Sequence, residues 1–360
     1  MDTPPPVVIV SRAPRGGHPR YCAELARALC DEGAEVAIAQ PAAAFQETAA
    51  LLDEVPIERV RLPDVSAGWY RQEAAIISFL RRRGGPGIVL FEETSPLRAA
   101  TLWFLKRQTS WSFATMVHNT RPHGTGVLDR LRHELGLAAL AVPHRVLVHN
   151  DTQRTEVEES WQNRSTMIDV VPHGPWSRET VVEVSERESG STKLLMFGVM
   201  RANSGLAAIG ALADALASRT DVSISVMGKP AAGVVGRELD SLRSKRNVEV
   251  VSEFIPDADV PAIFAAHDYM LLPYEGYTSE SGVLMEAISH GLPVITAGEG
   301  SVADRVSELG LGPMPEGSLI QQSLAALEAT DEEREQWRVN LATARTDSSW
   351  ARHAKILLNP

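Results

Sequence analysis

Ser279, Ser281 and Gly282 stand just ahead of a run in which Leu284, Met285 and Ile288 share one helical face. A helix that begins there leaves its first backbone N–H groups without intrahelical partners, and its aligned peptide dipoles favour an anion at that end. A diphosphate suits the backbone of Ser281, Gly282 and Val283. Glu286 lies one turn into the same helix, where a carboxylate can accept hydrogen bonds from a ribose diol. A cation to match the anion comes from Arg201, in the loop Gly198-Val199-Met200-Arg201-Ala202-Asn203-Ser204-Gly205 that follows the apolar run 193–197. His118 ends another apolar run, 113–117, and so stands where parallel strands deliver side chains to ligands.

These residues need strand ends and helix starts to hold them, and the chain supplies both in alternation. Residues 7–10 read as a strand, followed by a loop with Pro14, Gly16, Gly17 and His18, then a helix with Cys22, Leu25, Ala26 and Leu29 on one face, ending near Gly33. Further strands are predicted at 36–39, 88–91, 113–117, 146–149 and 168–171. After Val171-Pro172-His173-Gly174 the composition turns to Ser, Glu and Arg, as in a linker. A second series follows with strands at 193–197, 222–227, 248–251, 270–272 and 294–296. Its helices include one carrying Leu206, Ile209, Leu212 and Leu216 and one from Pro256 to Ala266. Residues 332–358 read as helical. Alternating strands and helices imply parallel sheets with crossover helices, and a chain of this length implies two domains.

Residues 269–295, YMLLPYEGYTSESGVLMEAISHGLPVI, resemble the C-terminal signature of the retaining family 4 glycosyltransferases. The matching features are Pro273, Ser281-Gly282, Glu286-Ala287 and Gly291-Leu292-Pro293-Val294, in order. The opening strand, Gly16-Gly17 loop and helix resemble the start of the same family. The resemblance implies the GT-B fold: two Rossmann-like α/β domains with parallel sheets facing across a cleft and a C-terminal helix returning to the first domain. It implies an acceptor domain at 1–175 with the returning helix at 335–360, a linker at 176–192, and a nucleotide-sugar-binding domain at 193–334. The implied activity moves a hexose-type sugar from a GDP-, UDP- or TDP-linked donor to a sugar, lipid-linked or small-molecule acceptor, with retention. His118, Arg201 and Glu286 are the catalytic candidates. Gly16, Gly17, Ser204, Lys229, Ser281, Gly282 and Val283, with Arg201 and Glu286, are the donor-binding candidates. No cofactor and no metal are expected, since helix dipole and basic side chains replace a metal in such enzymes.

Two positions depart from the family pattern. Ser204 stands where the family carries a lysine, and Thr278 stands where it carries the first of two glutamates, with Glu275 and Glu280 nearby. Members with a Pro-Tyr and Ser-Gly pattern, as in Pro273-Tyr274 and Ser281-Gly282, also lack that glutamate. Lys229 can supply the missing cation, and it stands with Phe254 where donor-base contacts would form. The departures keep a second reading open, a nucleotide-sugar-binding subunit that retained the fold without the activity.

Composition bounds the partners. Residues 1–175 hold 19 Lys+Arg against 20 Asp+Glu, or −1, and the rest 16 against 26, or −10, so nearly all of the formal charge of −11 resides in the second half. Arg81-Arg82-Arg83 and the group Arg12, Arg15, Arg20 read either as solvated surface or as attraction for a phosphorylated acceptor or an anionic membrane. Residues 97–107 read as a core helix with a polar end or as a membrane-surface helix. No basic helix with interleaved aromatics points to nucleic acid. No run reaches membrane-span length, so the expectation is a cytoplasmic protein, with the inner membrane surface as a further location. Cys22 and Cys30 read as reduced core residues. His118 and His123 lack a third ligand at metal spacing.

Overall fold

The computed structural model describes residues 3–14, 16–64, 66, 68–93, 96–120, 135, 143–160, 166–176, 190–231, 236–276, 279–314, 316–346 and 349–359. The chain forms two compact units, Met1–Gly174 with Ser348–Pro360, and Pro175–Asp347. Arg15, His123, Thr278 and the linker stretch 177–189 lie outside the described residues.

The first unit holds β1 (Val7–Val10), β2 (Val36–Pro41), β3 (Ile57–Leu62), β4 (Gly87–Phe91), β5 (Trp111–Met116), β6 (Arg145–Val148) and β7 (Met167–Val170). They form one sheet in the order β3-β2-β1-β4-β5-β6-β7, parallel at every pairing. The central strands are unbroken apolar runs because both faces are covered: all four residues of β1 and all five of β4 are buried. The helix Gly17–Asp31 turns Cys22, Leu25, Ala26 and Leu29 inward, as the sequence spacing requires. β3 was not legible as a strand. It reads IERVRL, buries only Leu62, and joins the edge through backbone pairing with β2 over six positions. Charged side chains on such an edge also discourage pairing with other chains.

The C-terminal stretch read as one helix is two in the described residues. Asp331–Thr346 packs in the second unit, where Trp337 meets Tyr269 at 6.3 Å between ring centroids and Asn340 donates to the Gly310 carbonyl at 2.8 Å. Ser349–Leu358 packs in the first unit against the helix Gly17–Asp31, burying His353, Ala354 and Leu357. The two apolar faces serve different cores, so only the segment from Ser348 returns. Arg145 donates to the carbonyls of Leu357 at 3.1 Å and Ile356 at 2.9 Å, satisfying acceptors that a helix end leaves open.

The second unit holds β8 (Thr192–Phe197), β9 (Val222–Met227), β10 (Val248–Val251), β11 (Tyr269–Leu272) and β12 (Val294–Thr296), ordered β10-β9-β8-β11-β12 and all parallel. Its core joins Leu194, Met196, Ile209, Leu212, Ile224 and Leu271. In each unit the chain order reverses beside the first strand, β1 in one and β8 in the other. Loops leaving opposite ways at the carboxyl ends of such strands open a crevice for ligands.

Candidate functional site

In the second unit the loops after β8, β9 and β11 meet. Met200 N–H donates to the Lys229 carbonyl at 3.0 Å, Ala231 N–H to the Met200 carbonyl at 2.8 Å, and Glu275 N–H to the Asn203 carbonyl at 3.1 Å. Two glycines make the approach possible. Gly228, at φ +143°, has the Gly198 carbonyl where a Cβ would point, and Gly205, at φ +74°, has the Pro273 carbonyl there. Any side chain at either position would separate the loops. Ser204 is buried, and its hydroxyl accepts from the Arg201 N–H at 2.9 Å. It fixes the loop that presents Arg201, whose residue is exposed, as is Lys229.

The helix Gly282–His290 starts beside this loop. Ser281 caps it by accepting from Leu284 N–H at 3.2 Å, and Gly291 ends it at φ 68°. Val283 lies within 2.9 Å of where a Cβ on Gly198 would stand. Tyr274 ties the two parts together. Burial raises its hydroxyl above the ordinary range, opposed by a hydrogen bond with Ser281 and by the Arg201 charge. Glu286 is partly buried one turn along, 3.6 Å from His290 Nε2. Trp176 packs on the helix start and donates from Nε1 to the Gly282 carbonyl at 2.9 Å. Sequence reasoning placed Trp176 in the linker; a lone large aromatic in a polar stretch was the available signal. Phe254, 68% exposed, follows β10.

Gly16, Gly17 and His118 belong to the first unit. Gly16, at φ 89°, precedes the helix Gly17–Asp31, which no side chain caps, and its N–H donates to Glu47 at 2.7 Å. Strand register assembles what surrounds His118. Phe91 pairs with Thr115 and Met116 with Leu147, so Glu92, His118 and His149 emerge at adjacent strand ends, and Val148 paired with Val170 brings Val171 beside His149. His118 Nε2 contacts Glu92 Oε1, and His118 Nδ1 lies 3.1 Å from His149 Nε2. Tyr21 meets His118 edge-on at 4.9 Å and contacts His353 Nδ1 through its hydroxyl at 3.1 Å. Burial depresses His173 to about 4 and His353 to about 3, and it drives the Tyr21 hydroxyl well above its usual range. Glu92, His18, His149 and Tyr21 went unnoticed as partners of His118 because only the sheet order makes them neighbours.

One group among the described residues has the composition of a metal site. His18, Glu92 and His118 offer ligand atoms within 4.8 Å of one another, a donor set that zinc accepts. His18 Nδ1 and Glu92 Oε2 have no hydrogen-bond partner among the described residues. The contact between His118 Nε2 and Glu92 Oε1 is already a hydrogen bond, which an ion would have to replace.

This architecture is the GT-B fold, two parallel α/β sheets of seven and five strands. Residues 191–328, which cover most of the second unit, match the model of the family described as Glycosyl transferases group 1. Solved structures share the fold over nearly their whole length at low identity. WaaG, a glycosyltransferase involved in lipopolysaccharide biosynthesis, is 18% identical with a TM-score of 0.66, covering 98% of each chain. Anabaena Alr3699/HepE, in complex with UDP and glucose, is 14% identical with a TM-score of 0.67, over 98% of this chain and 97% of that one. Sucrose-phosphate synthase from Thermosynechococcus elongatus is 14% identical with a TM-score of 0.66, over 99% and 95%. Comparison with curated protein sequences finds no match.

Proposed function

We propose that the chain is a retaining family 4 glycosyltransferase that moves a hexose-type sugar from a GDP-, UDP- or TDP-linked donor to a sugar, lipid-linked or small-molecule acceptor. The observation that carries this reading is the coincidence of the group 1 match with the loops of the second unit that bring Arg201 and Tyr274 to the helix start at Ser281. That helix end and Arg201 take the diphosphate, Lys229 supplies the cation that Ser204 does not, and Glu286 accepts from the ribose. No metal is needed where these groups meet the charge of the leaving diphosphate. The first unit holds the acceptor, with Gly16, Gly17 and His118 at the sugar. The acceptor oxygen attacks the anomeric carbon on the face from which the phosphate leaves, and a phosphate oxygen takes the acceptor proton. The work is cytoplasmic, at the inner membrane surface when the acceptor is lipid-linked.

Binding and turnover by the purified chain test the reading. Arg201→Ala should weaken a nucleoside diphosphate by about 1.5 to 3 kcal/mol, the worth of a charge-assisted hydrogen bond, while leaving the nucleoside unchanged. Glu286→Gln should weaken ribonucleotides more than 2′-deoxy analogues. Equal loss for diphosphate and nucleoside in calorimetry would place Arg201 elsewhere. The buried, internally bonded Ser204 favours one rival, a nucleotide-sugar-binding subunit. Firm donor binding without turnover, with activity only on addition of a second protein, decides for that rival.

A further inference from the structure

Beside the group around His118, the first unit sets a second pair of charged side chains at its strand ends. The chain order reverses between β1 and β4. Their pairing runs to the last residues: Val10 pairs with Phe91, and Glu92 N–H donates to the Val10 carbonyl at 3.0 Å. Arg12 and Glu93, each the second residue beyond its strand, therefore meet at the mouth of the crevice that such a reversal opens. Glu93 Oε2 accepts from both the backbone N–H and the Nε of Arg12, each at 3.2 Å.

A buried frame holds this pair. Arg12 Nη1 lies 3.8 Å from Glu73 Oε1 on the helix Trp69–Arg83. Glu73 is held in turn by Arg98, which donates from Nη2 at 2.9 Å and from Nε at 3.2 Å, and by Thr101, which donates from Oγ1 at 2.8 Å. Arg98 is 1% exposed, with its guanidinium carbon 4.0 Å from the centroid of the Phe91 ring. Charges thus alternate from the core outward, Arg98, Glu73, Arg12, Glu93, across two helices and two strand ends. The outermost is a carboxylate whose side chain is 20% exposed. The hydrogen bonds that it makes to the described residues both go to Oε2.

That end of the series selects the chemistry of a ligand. Arg12 has a carboxylate on each side, so its charge is not open to a phosphate. Glu93 repels an anion, and its Oε1 has two lone pairs that can accept from hydroxyls on adjacent carbons. A carboxylate already fixed in place binds without the cost of ordering it.

We propose that Glu93, positioned by Arg12, binds the acceptor through its hydroxyls, so that the part of the acceptor entering this crevice is an uncharged sugar or polyol and not a phosphorylated one. That the ligand is an acceptor rests on the glycosyltransferase reading; the polyol site itself does not.

Saturation-transfer NMR on the purified full-length chain tests the site with glucose and myo-inositol, each against its monophosphate. An uncharged member should bind, and its monophosphate should bind about tenfold or more weakly, since like charges at a partly buried site repel by at least that much. Glu93→Gln should weaken the uncharged compound by about five- to tenfold, the difference between a charged and a neutral hydrogen-bond acceptor, and narrow its lead over the monophosphate. Transfer from UDP-, GDP- or TDP-glucose to the same compounds should follow the same order, with the loss in Glu93→Gln falling on acceptor KM and not on kcat. Arg12→Lys, which keeps the charge without the Nε donor, should raise the same KM. Failure of the parent to bind either uncharged compound, or tighter binding of the monophosphates, overturns the proposal even if the variants fail to fold. So does a Glu93→Gln protein that melts lower but binds and discriminates like the parent, because the pair would then only tie the loops. The expected order of binding without any transfer refutes the glycosyltransferase reading alone and leaves Glu93 as a polyol site.

Discussion

Replacing Gly205 by alanine tests whether the contact between the β8 and β11 loops builds the diphosphate site. Gly205 adopts φ 74° and ψ 28°, left-handed geometry that an L side chain enters at a cost of about 1 to 3 kcal/mol. Its Cβ would run into the Pro273 carbonyl oxygen and stand 2.8 Å from Pro273 Cγ and 2.9 Å from the carbonyl carbon. Most of these neighbours are backbone, so relief requires a loop to move, and overpacking of this kind costs about 1 to 3 kcal/mol more. The sum, roughly 2 to 6 kcal/mol, lowers the melting temperature of a domain of this size by about 5 to 20 °C. The loop that moves carries either Arg201 or Tyr274, so nucleoside diphosphate affinity should fall about tenfold or more, since each 1.4 kcal/mol is a factor of ten. Scanning calorimetry and titration calorimetry read the two effects. Gly236→Ala is the control, at a helix start where a Cβ meets nothing within 4 Å. A Gly205→Ala protein that melts with the parent and binds the diphosphate equally well would show that the loops do not need this contact.

Two further outcomes are expected. His173 and His353 titrate at about 4 and about 3 in the folded chain against 6.5 for a free histidine. Below pH 6.5 the unfolded chain takes up protons that the folded chain refuses, so stability is complete above that pH and declines as pH falls toward 4. His173 alone accounts for a loss on the order of 3 kcal/mol; urea unfolding at several pH values should show the decline, flattened in His173→Gln, and constant stability from pH 7 to 5 would refute it. The second outcome concerns the exposed Trp69, Tyr70 and Trp103, with Arg107 stacked over Trp103 at 3.6 Å and Arg81 and Arg82 nearby on the helix Trp69–Arg83. Vesicles rich in anionic lipid should bind the chain, and Arg81→Glu with Arg82→Glu should weaken that binding by about tenfold or more, at roughly 1 kcal/mol per basic residue; equal binding to uncharged vesicles would refute the electrostatic contact.

The sequence alone determined the periodicity and punctuation of the chain. Buried parallel strands are covered on both faces, so runs such as Val7–Val10 and Gly87–Phe91 are apolar throughout and readable without neighbours. Ser281 before an apolar helical run and Gly291 after it mark helix ends by local backbone chemistry, which needs no tertiary partner. The same local logic missed β3, whose charged edge carries no core face, and joined the two C-terminal helices, whose apolar faces belong to different units. The group around His118 was beyond sequence reading for a different reason. Glu92 and His118 are 26 residues apart and His118 and His149 are 31 apart, and their meeting depends on β4, β5 and β6 being neighbours in register. Strand order is a long-range property, set by which apolar faces can be covered together. Only the folded sheet, therefore, decides which carboxylate sits beside which histidine.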